Sequence, residues 1–197
     1  MAIEKAWITL NRICNMQCKF CYSSVNKDEE ISISRVNEIL TFLLSADIKK
    51  VILSGGEPTI NKNFFRILEI LSSSGVEISI VTNGLKFSNK HFLHQSICSG
   101  LNGIIFSIKG FTPTDYEKIA GGNFYPLIIK AIENLRNLNV KTTYQFTFSS
   151  ETINNISDFI AFVTLTKIDN LITQVSQQKL GIKALIYAGW AANQCLT

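Results

Sequence analysis

Proline is scarce in this sequence, with 3 in 197 residues, and only 17% of positions are charged. Those two scarcities exclude a proline-rich linker and a highly charged disordered chain, while 46% hydrophobic residues supply enough apolar material for a packed core. At roughly 100–200 residues per domain the length predicts one compact domain. No run approaches the roughly 18 uninterrupted apolar residues that a membrane span requires. Even the apolar start, Ile8 to Ile13, is interrupted by Asn11 and Arg12. Met1 to Trp7 carries Glu4 and Lys5 and lacks an apolar stretch with a small-residue cleavage site, so secretion is not expected. A dominant sign of charge is missing too: 19 Lys and Arg against 15 Asp and Glu give a scattered net charge of +4. That balance gives no strong nucleic-acid signal.

Cysteine is present in a form that demands an explanation. Five is an odd number, and three of the five crowd into positions 14 to 21, where mutual disulfides would be strained and would leave one thiol over. A reducing, cytoplasmic compartment and metal ligation fit that arrangement better.

Strand and helix patterns alternate along the chain. Strand-like segments are Ala6 to Ile13, Lys50 to Leu53, Val76 to Val81, Gly103 to Ile108, Thr142 to Phe148 and Leu171 to Val175. Between them, Val36, Ile39, Leu40, Leu43 and Leu44 recur at helical spacing behind a Ser32 or Ser34 cap, and Phe64, Ile67, Leu68 and Leu71 do so before Gly75. Further helices are expected over Asn89 to Ser99, Leu127 to Leu138 and Ile156 to Leu165, with a loop containing Gly121 and Gly122 before the second of these. In the fifth strand, Tyr144, Phe146 and Phe148 alternate with Thr143, Gln145 and Thr147, so the aromatics are expected under helices, with Gln145 and Thr147 lining the interior. Six strands joined by helices predict an α/β fold with a parallel sheet and right-handed crossovers. A closed eight-fold barrel typically needs roughly 250 residues, so the expectation is a partial (βα)6-type TIM barrel, laterally open. Residues 1–176 form that core, and residues 177–197 are a tail of weak pattern.

Cys14, Cys18 and Cys21 follow the first strand in a C-x-x-x-C-x-x-C spacing. Three thiolates in one short loop suit three corners of a four-iron cluster and leave one iron without a protein ligand. A ferredoxin or a structural zinc site would instead close its coordination. A flexible zinc-binding or free-thiol loop, with Cys98 or Cys195 as a distant fourth ligand, is the competing reading.

The run Cys14-Asn15-Met16-Gln17-Cys18-Lys19-Phe20-Cys21 resembles the signature of the radical S-adenosylmethionine (radical SAM) enzymes, and Ser54-Gly55-Gly56-Glu57-Pro58-Thr59 looks like their second motif. The resemblance implies a [4Fe-4S] cluster on Cys14, Cys18 and Cys21, with S-adenosylmethionine on the open iron. It places Phe20 near the adenine, and Gly55, Gly56 and Glu57 at the methionine amino group, largely through backbone carbonyls. A 5′-deoxyadenosyl radical for hydrogen abstraction is the implied chemistry, with an external one-electron reductant of flavodoxin or ferredoxin type. No side chain beyond the cofactor ligands is implied to be catalytic. The substrate is not legible: protein, peptide and small molecule all remain open.

Ser107-Ile108-Lys109-Gly110 is similar to the fourth-strand region of glycyl-radical-activating relatives, where an Asp two positions before the Lys is common; here that position is Ser107. Lys109 is expected to pair with the cofactor's carboxylate, or to reach solvent, and Ser107 to bond the ribose. Asn83 at the end of strand three is either a cofactor or substrate contact or a turn residue of the Asn83-Gly84 pair. Cys98 reads as a small buried hydrophobe, and His91 and His94 as solvent-facing. A non-catalytic iron–sulfur or zinc module, or a truncated relative with an incomplete site, stands as the alternative function. On the radical SAM reading, Gly56→Val is expected to weaken S-adenosylmethionine binding while leaving iron in place.

Overall fold

The computed structural model describes residues 3–21, 29–136, 138, 140–149, 152–168, 170–175 and 185–186. Strand β1 (Ala6–Thr9) leads through the cysteine loop to α1 (Ile33–Ser45), followed by β2 (Lys50–Ser54), α2 (Phe64–Ser73), β3 (Glu77–Thr82) and α3 (Lys90–Cys98). The second half runs β4 (Leu101–Ile108), α4 (Pro113–Ala120), α5 (Tyr125–Arg136), β5 (Lys141–Phe148), α6 (Ile156–Thr166), β6 (Leu171–Val175) and a two-residue β7 (Leu185–Ile186). The sheet order follows the chain, β1 to β7. Strands β1 to β6 pair in parallel, and β7 adds to β6 antiparallel. Among the described residues this is the expected partial barrel, open between its first and last strands. Of the tail, only β7 lies within the described residues, and no helix among them is long and apolar enough to cross a membrane.

The core lies between sheet and helices. On β2 to β4 the helix-facing positions are Val51, Leu53, Ile78, Ile80, Ile104 and Phe106, all buried. Aromatic residues seal the second half: Phe146 of β5 packs its ring 5.1 Å from Phe159 and 6.0 Å from Phe162 of α6, with Phe111 against all three. The expected division of β5 therefore holds, with Tyr144, Phe146 and Phe148 buried and Thr143, Gln145 and Thr147 half-buried on the other face.

Three local expectations are corrected. Strand β1 stops at Thr9, because Asn11 and Ile13 turn to accept hydrogen bonds from the amides of Gly56 and Glu57. Helix α4 occupies part of the stretch expected as a loop. Thr112 caps it by accepting from the Asp115 amide at 3.2 Å, Asp115 accepts back from the Thr112 amide at 3.1 Å, and Pro113 takes the first turn. Finally, Cys98 is exposed: the buried stripe of α3 is Leu93 and Ser96, and the last turn carries Cys98 off it. Its Sγ lies 3.5 Å from His94 Nδ1, and His91 and His94 face solvent as expected.

Removing the cap hydroxyl by Thr112→Ala is expected to cost about 1 kcal/mol. Urea unfolding should show a lowered midpoint with an unchanged slope. An unchanged midpoint would mean that the flanking contacts fix α4 without its capping box.

Candidate functional site

The carboxyl ends of β1 and β2 are laced together. The Leu10 amide donates to Ser54 O at 2.8 Å, then Gly56 N to Asn11 O at 3.0 Å and Glu57 N to Ile13 O at 2.8 Å. Asn11 Nδ2 returns a bond to Glu57 O at 3.0 Å. Both glycines are required by this close approach. A Cβ on Gly55, whose φ is +154°, would stand 2.6 Å from Asn11 O, and one on Gly56 would stand 2.1 Å from Ile13 O. Among the described residues no donor reaches the carbonyl oxygens of Gly55 or Gly56. They are half-buried acceptors available to an ammonium group.

Glu57 is 1% exposed, and its carboxylate is occupied by the protein itself. Oε1 accepts from Thr59 N at 3.1 Å, Thr59 Oγ1 at 2.6 Å and Thr82 Oγ1 at 2.7 Å, while Oε2 accepts from Asn83 N at 2.7 Å. Burial pushes this carboxyl group upward from its ordinary pKa, and the four donors pull the other way. Its role in the geometry is to clamp the end of β2 to the end of β3.

The cysteine loop is seated on α4. Gln17 N donates to Ala120 O at 3.0 Å and Lys19 N to Ile119 O at 2.9 Å, so the loop caps carbonyls that the helix end leaves free. Cys14, Cys18 and Cys21 are reduced and half-buried. The Met16 amide points at Cys14 Sγ at 3.4 Å, and Asn83 Nδ2 lies 3.8 Å from the same sulfur. From β4, Lys109 Nζ bonds Ser107 Oγ at 2.5 Å and stands 5.5 Å from the Phe20 ring centroid. It is thereby folded over the loop, not extended to solvent. Gln145 of β5 is the register partner of Ser107.

All ten sequence-predicted positions thus gather at one end of the sheet. Asn11, Asn15, Thr82 and Asp115 belong to the same assembly and were not singled out; only the capping pattern of Thr112 to Asp115 carried a local signal. Cys98, His91 and His94 lie on α3 with no bond to the loop among the described residues, and Cys195 lies outside those residues.

The donor set fits an iron–sulfur cluster. Cys14, Cys18 and Cys21 offer three free thiols from one loop. Thiolates spread along a loop suit a cluster held at one corner each, whereas a closed zinc site needs four converging ligands. Burial raises the Cys14 and Cys18 thiols above the ordinary range, and the Lys109 cation partly offsets this in both. Thiols must lose their protons to ligate. Anaerobic iron and sulfide uptake is therefore expected to accelerate as pH rises from about 7 to about 9, followed by visible absorbance. A flat rate over that window would show that deprotonation does not limit loading.

The description of the radical SAM superfamily matches residues 8–163. Among curated proteins, the chain is 32% identical over 171 residues to the molybdenum cofactor biosynthesis protein moc-5 of Caenorhabditis elegans, covering 83% of this chain and 28% of that protein. It is 24% identical over 173 residues to a probable GTP 3′,8-cyclase of Sulfolobus acidocaldarius, covering 86% and 55%. The chain thus spans about half or less of the length of these relatives. Among solved structures, native anSMEcpe with bound AdoMet and Kp18Cys peptide superposes with a TM-score of 0.76 at 14% identity, covering 95% of this chain and 55% of that one. Streptococcus suis SuiB bound to S-adenosylmethionine gives 0.71 at 17%, covering 91% and 40%. At identities this low the superpositions show a shared fold alone.

Proposed function

Because the chain belongs to the radical SAM superfamily, we propose that Cys14, Cys18 and Cys21 hold a [4Fe-4S] cluster and that S-adenosylmethionine binds at the iron they leave open. The observation that carries this reading is the lacing of the segment leading into Cys14 to the Gly55–Glu57 turn, whose Gly55 and Gly56 carbonyl oxygens meet no donor among the described residues. When bound, the pair supplies one-electron cleavage of a sulfonium carbon–sulfur bond and a 5′-deoxyadenosyl radical for hydrogen abstraction.

The chain's own residues bind and orient. Gly55 and Gly56 accept the ammonium through their carbonyls, and Glu57 keeps that turn fixed against β3. Lys109 supplies a cation for the methionine carboxylate, Ser107 steers it and stands toward the ribose, and Phe20 offers a ring to the adenine. The electron comes from an external flavodoxin or ferredoxin in a reducing cytoplasm.

The substrate is read at the level of class. Beside Ser107 the inner face of β5 carries Gln145 and Thr147, an amide and a hydroxyl without charge. That face suits a peptide segment or another uncharged polar group. A nucleotide, as in the cyclases, is supported instead by sequence identity to proteins of which this chain is a part in length.

Anaerobic reconstitution, then assay of 5′-deoxyadenosine with dithionite and S-adenosylmethionine, tests the proposal. Product formation is expected. Iron retained without any cleavage would support the non-catalytic module or the incomplete relative.

A further inference from the structure

We infer that Asn83 is a positioning residue of the iron–sulfur centre, its side-chain amide donating to the Cys14 sulfur while Glu57 holds it from behind. The inference rests on the cluster reading above. Asn83 is 6% exposed, so water does not compete for its groups. Its backbone amide is fixed by Glu57 Oε2 at 2.7 Å, and its Oδ1 accepts from Leu85 N at 3.1 Å. With the oxygen end committed to Leu85, the nitrogen end must face the cysteine loop, where Nδ2 meets Asn15 Oδ1 at 2.7 Å and Cys14 Sγ at 3.8 Å.

The turn alone does not explain this arrangement. A side-chain oxygen accepting two residues onward is all that such a turn uses, and serine or aspartate supplies it as well. The amide protons are surplus to the turn: Nδ2 donates to Asn15 Oδ1 and also faces the Cys14 sulfur, 69 positions away in sequence. Hydrogen bonds to cluster sulfurs are one of the levers that set reduction potential, since adding an electron increases the negative charge on the sulfurs and a donor stabilises it. Glu57 thereby reaches the cluster indirectly. Its carboxylate grips Thr82 and Asn83, and Asn83 carries the effect to Cys14.

The test is an anaerobic potentiometric titration of the cluster-loaded protein without S-adenosylmethionine, followed by electron paramagnetic resonance. Asn83→Ser keeps a turn acceptor, stays neutral and removes the donor to sulfur. Its equilibrium constant for one-electron reduction is expected to fall about tenfold, a midpoint about 59 mV more negative. Should that variant lose its iron, Glu57→Gln is read instead. It places an amide against the Asn83 N–H or Thr hydroxyls, loosens the grip, and should lower the constant in the same direction by about threefold. A wild-type potential in whichever variant retains about four irons overturns the inference and leaves Asn83 as a turn residue. A wild-type chain that takes up no cluster overturns the cluster reading itself.

Discussion

Replacing Cys14, Cys18 or Cys21 by alanine, one at a time, is expected to reduce iron uptake on reconstitution from about four per chain to near zero, with loss of visible absorbance. The reason is lack of redundancy. Three thiols sit in one loop whose path is fixed at Gln17 and Lys19 by the end of α4 and, ahead of Cys14, by the Gly56 and Glu57 amides. No fourth thiol is tied to that loop among the described residues. Each cysteine is thus the single protein anchor for its corner. Cys98 is exposed on α3 beside His94, so Cys98→Ala should retain full iron. Cys195→Ala serves as the second control. Iron lost equally in either control, or tight zinc binding without visible absorbance, would sink the open-iron reading.

Contiguity decides how much of this site was legible in the sequence. The cysteine triplet and the Gly-Gly-Glu turn each lie in one short stretch directly after a strand, and strand ends are where parallel α/β folds place chemistry. The cysteine spacing carried its own signal, the Gly-Gly-Glu turn was identified by its resemblance to the family's second motif, and the six-strand periodicity, which the sheet order reproduces, put both after strand ends. What was not legible depends on pairs far apart in sequence. The resemblance places Glu57 at the cofactor's amino group and says nothing of its carboxylate, which Thr82 and Asn83, 25 and 26 positions on, engage. Asn83 likewise shows its turn role locally and its approach to Cys14 only in the fold. Helix α4 is a different case. Its eight residues are too few for a clear hydrophobic period, although Thr112, Pro113 and Asp115 spell its start. The seat of the cysteine loop was therefore written as a cap signal, while apolar spacing alone suggested a loop. Cys98 shows the opposite limit, since residue type predicts burial and position on the last helical turn overrides it.

Gly56→Ala is expected to damage both halves of the site together, a larger effect than the loss of cofactor affinity alone that the glycine pair suggests in isolation. A Cβ there would stand 2.1 Å from the Ile13 carbonyl oxygen, 2.6 Å from its carbon and 3.0 Å from the Arg12 carbon. These are backbone atoms, so no side-chain rotation relieves the contact. Either the turn or residues 12–13 must move, and the same Ile13 oxygen accepts from Glu57 N at 2.8 Å immediately before Cys14. Displacing the turn also weakens the Glu57 clamp on Asn83, so the disturbance reaches the loop by two routes. Overpacking of this kind costs about 3 kcal/mol, a large share of a typical domain's stability of about 5–15 kcal/mol. The expected result is a lowered urea midpoint, iron content below half of wild type, and no measurable S-adenosylmethionine binding in the fraction that keeps its cluster. Gly75→Ala supplies a control, because a Cβ there meets nothing within 4 Å; although its φ of +77° makes that substitution costly, iron content in the folded protein should be unaffected. A folded Gly56→Ala chain with full iron and wild-type affinity would mean that residues 10–13 yield freely, and the laced turn would then not be what joins the thiols to the cofactor's amino group.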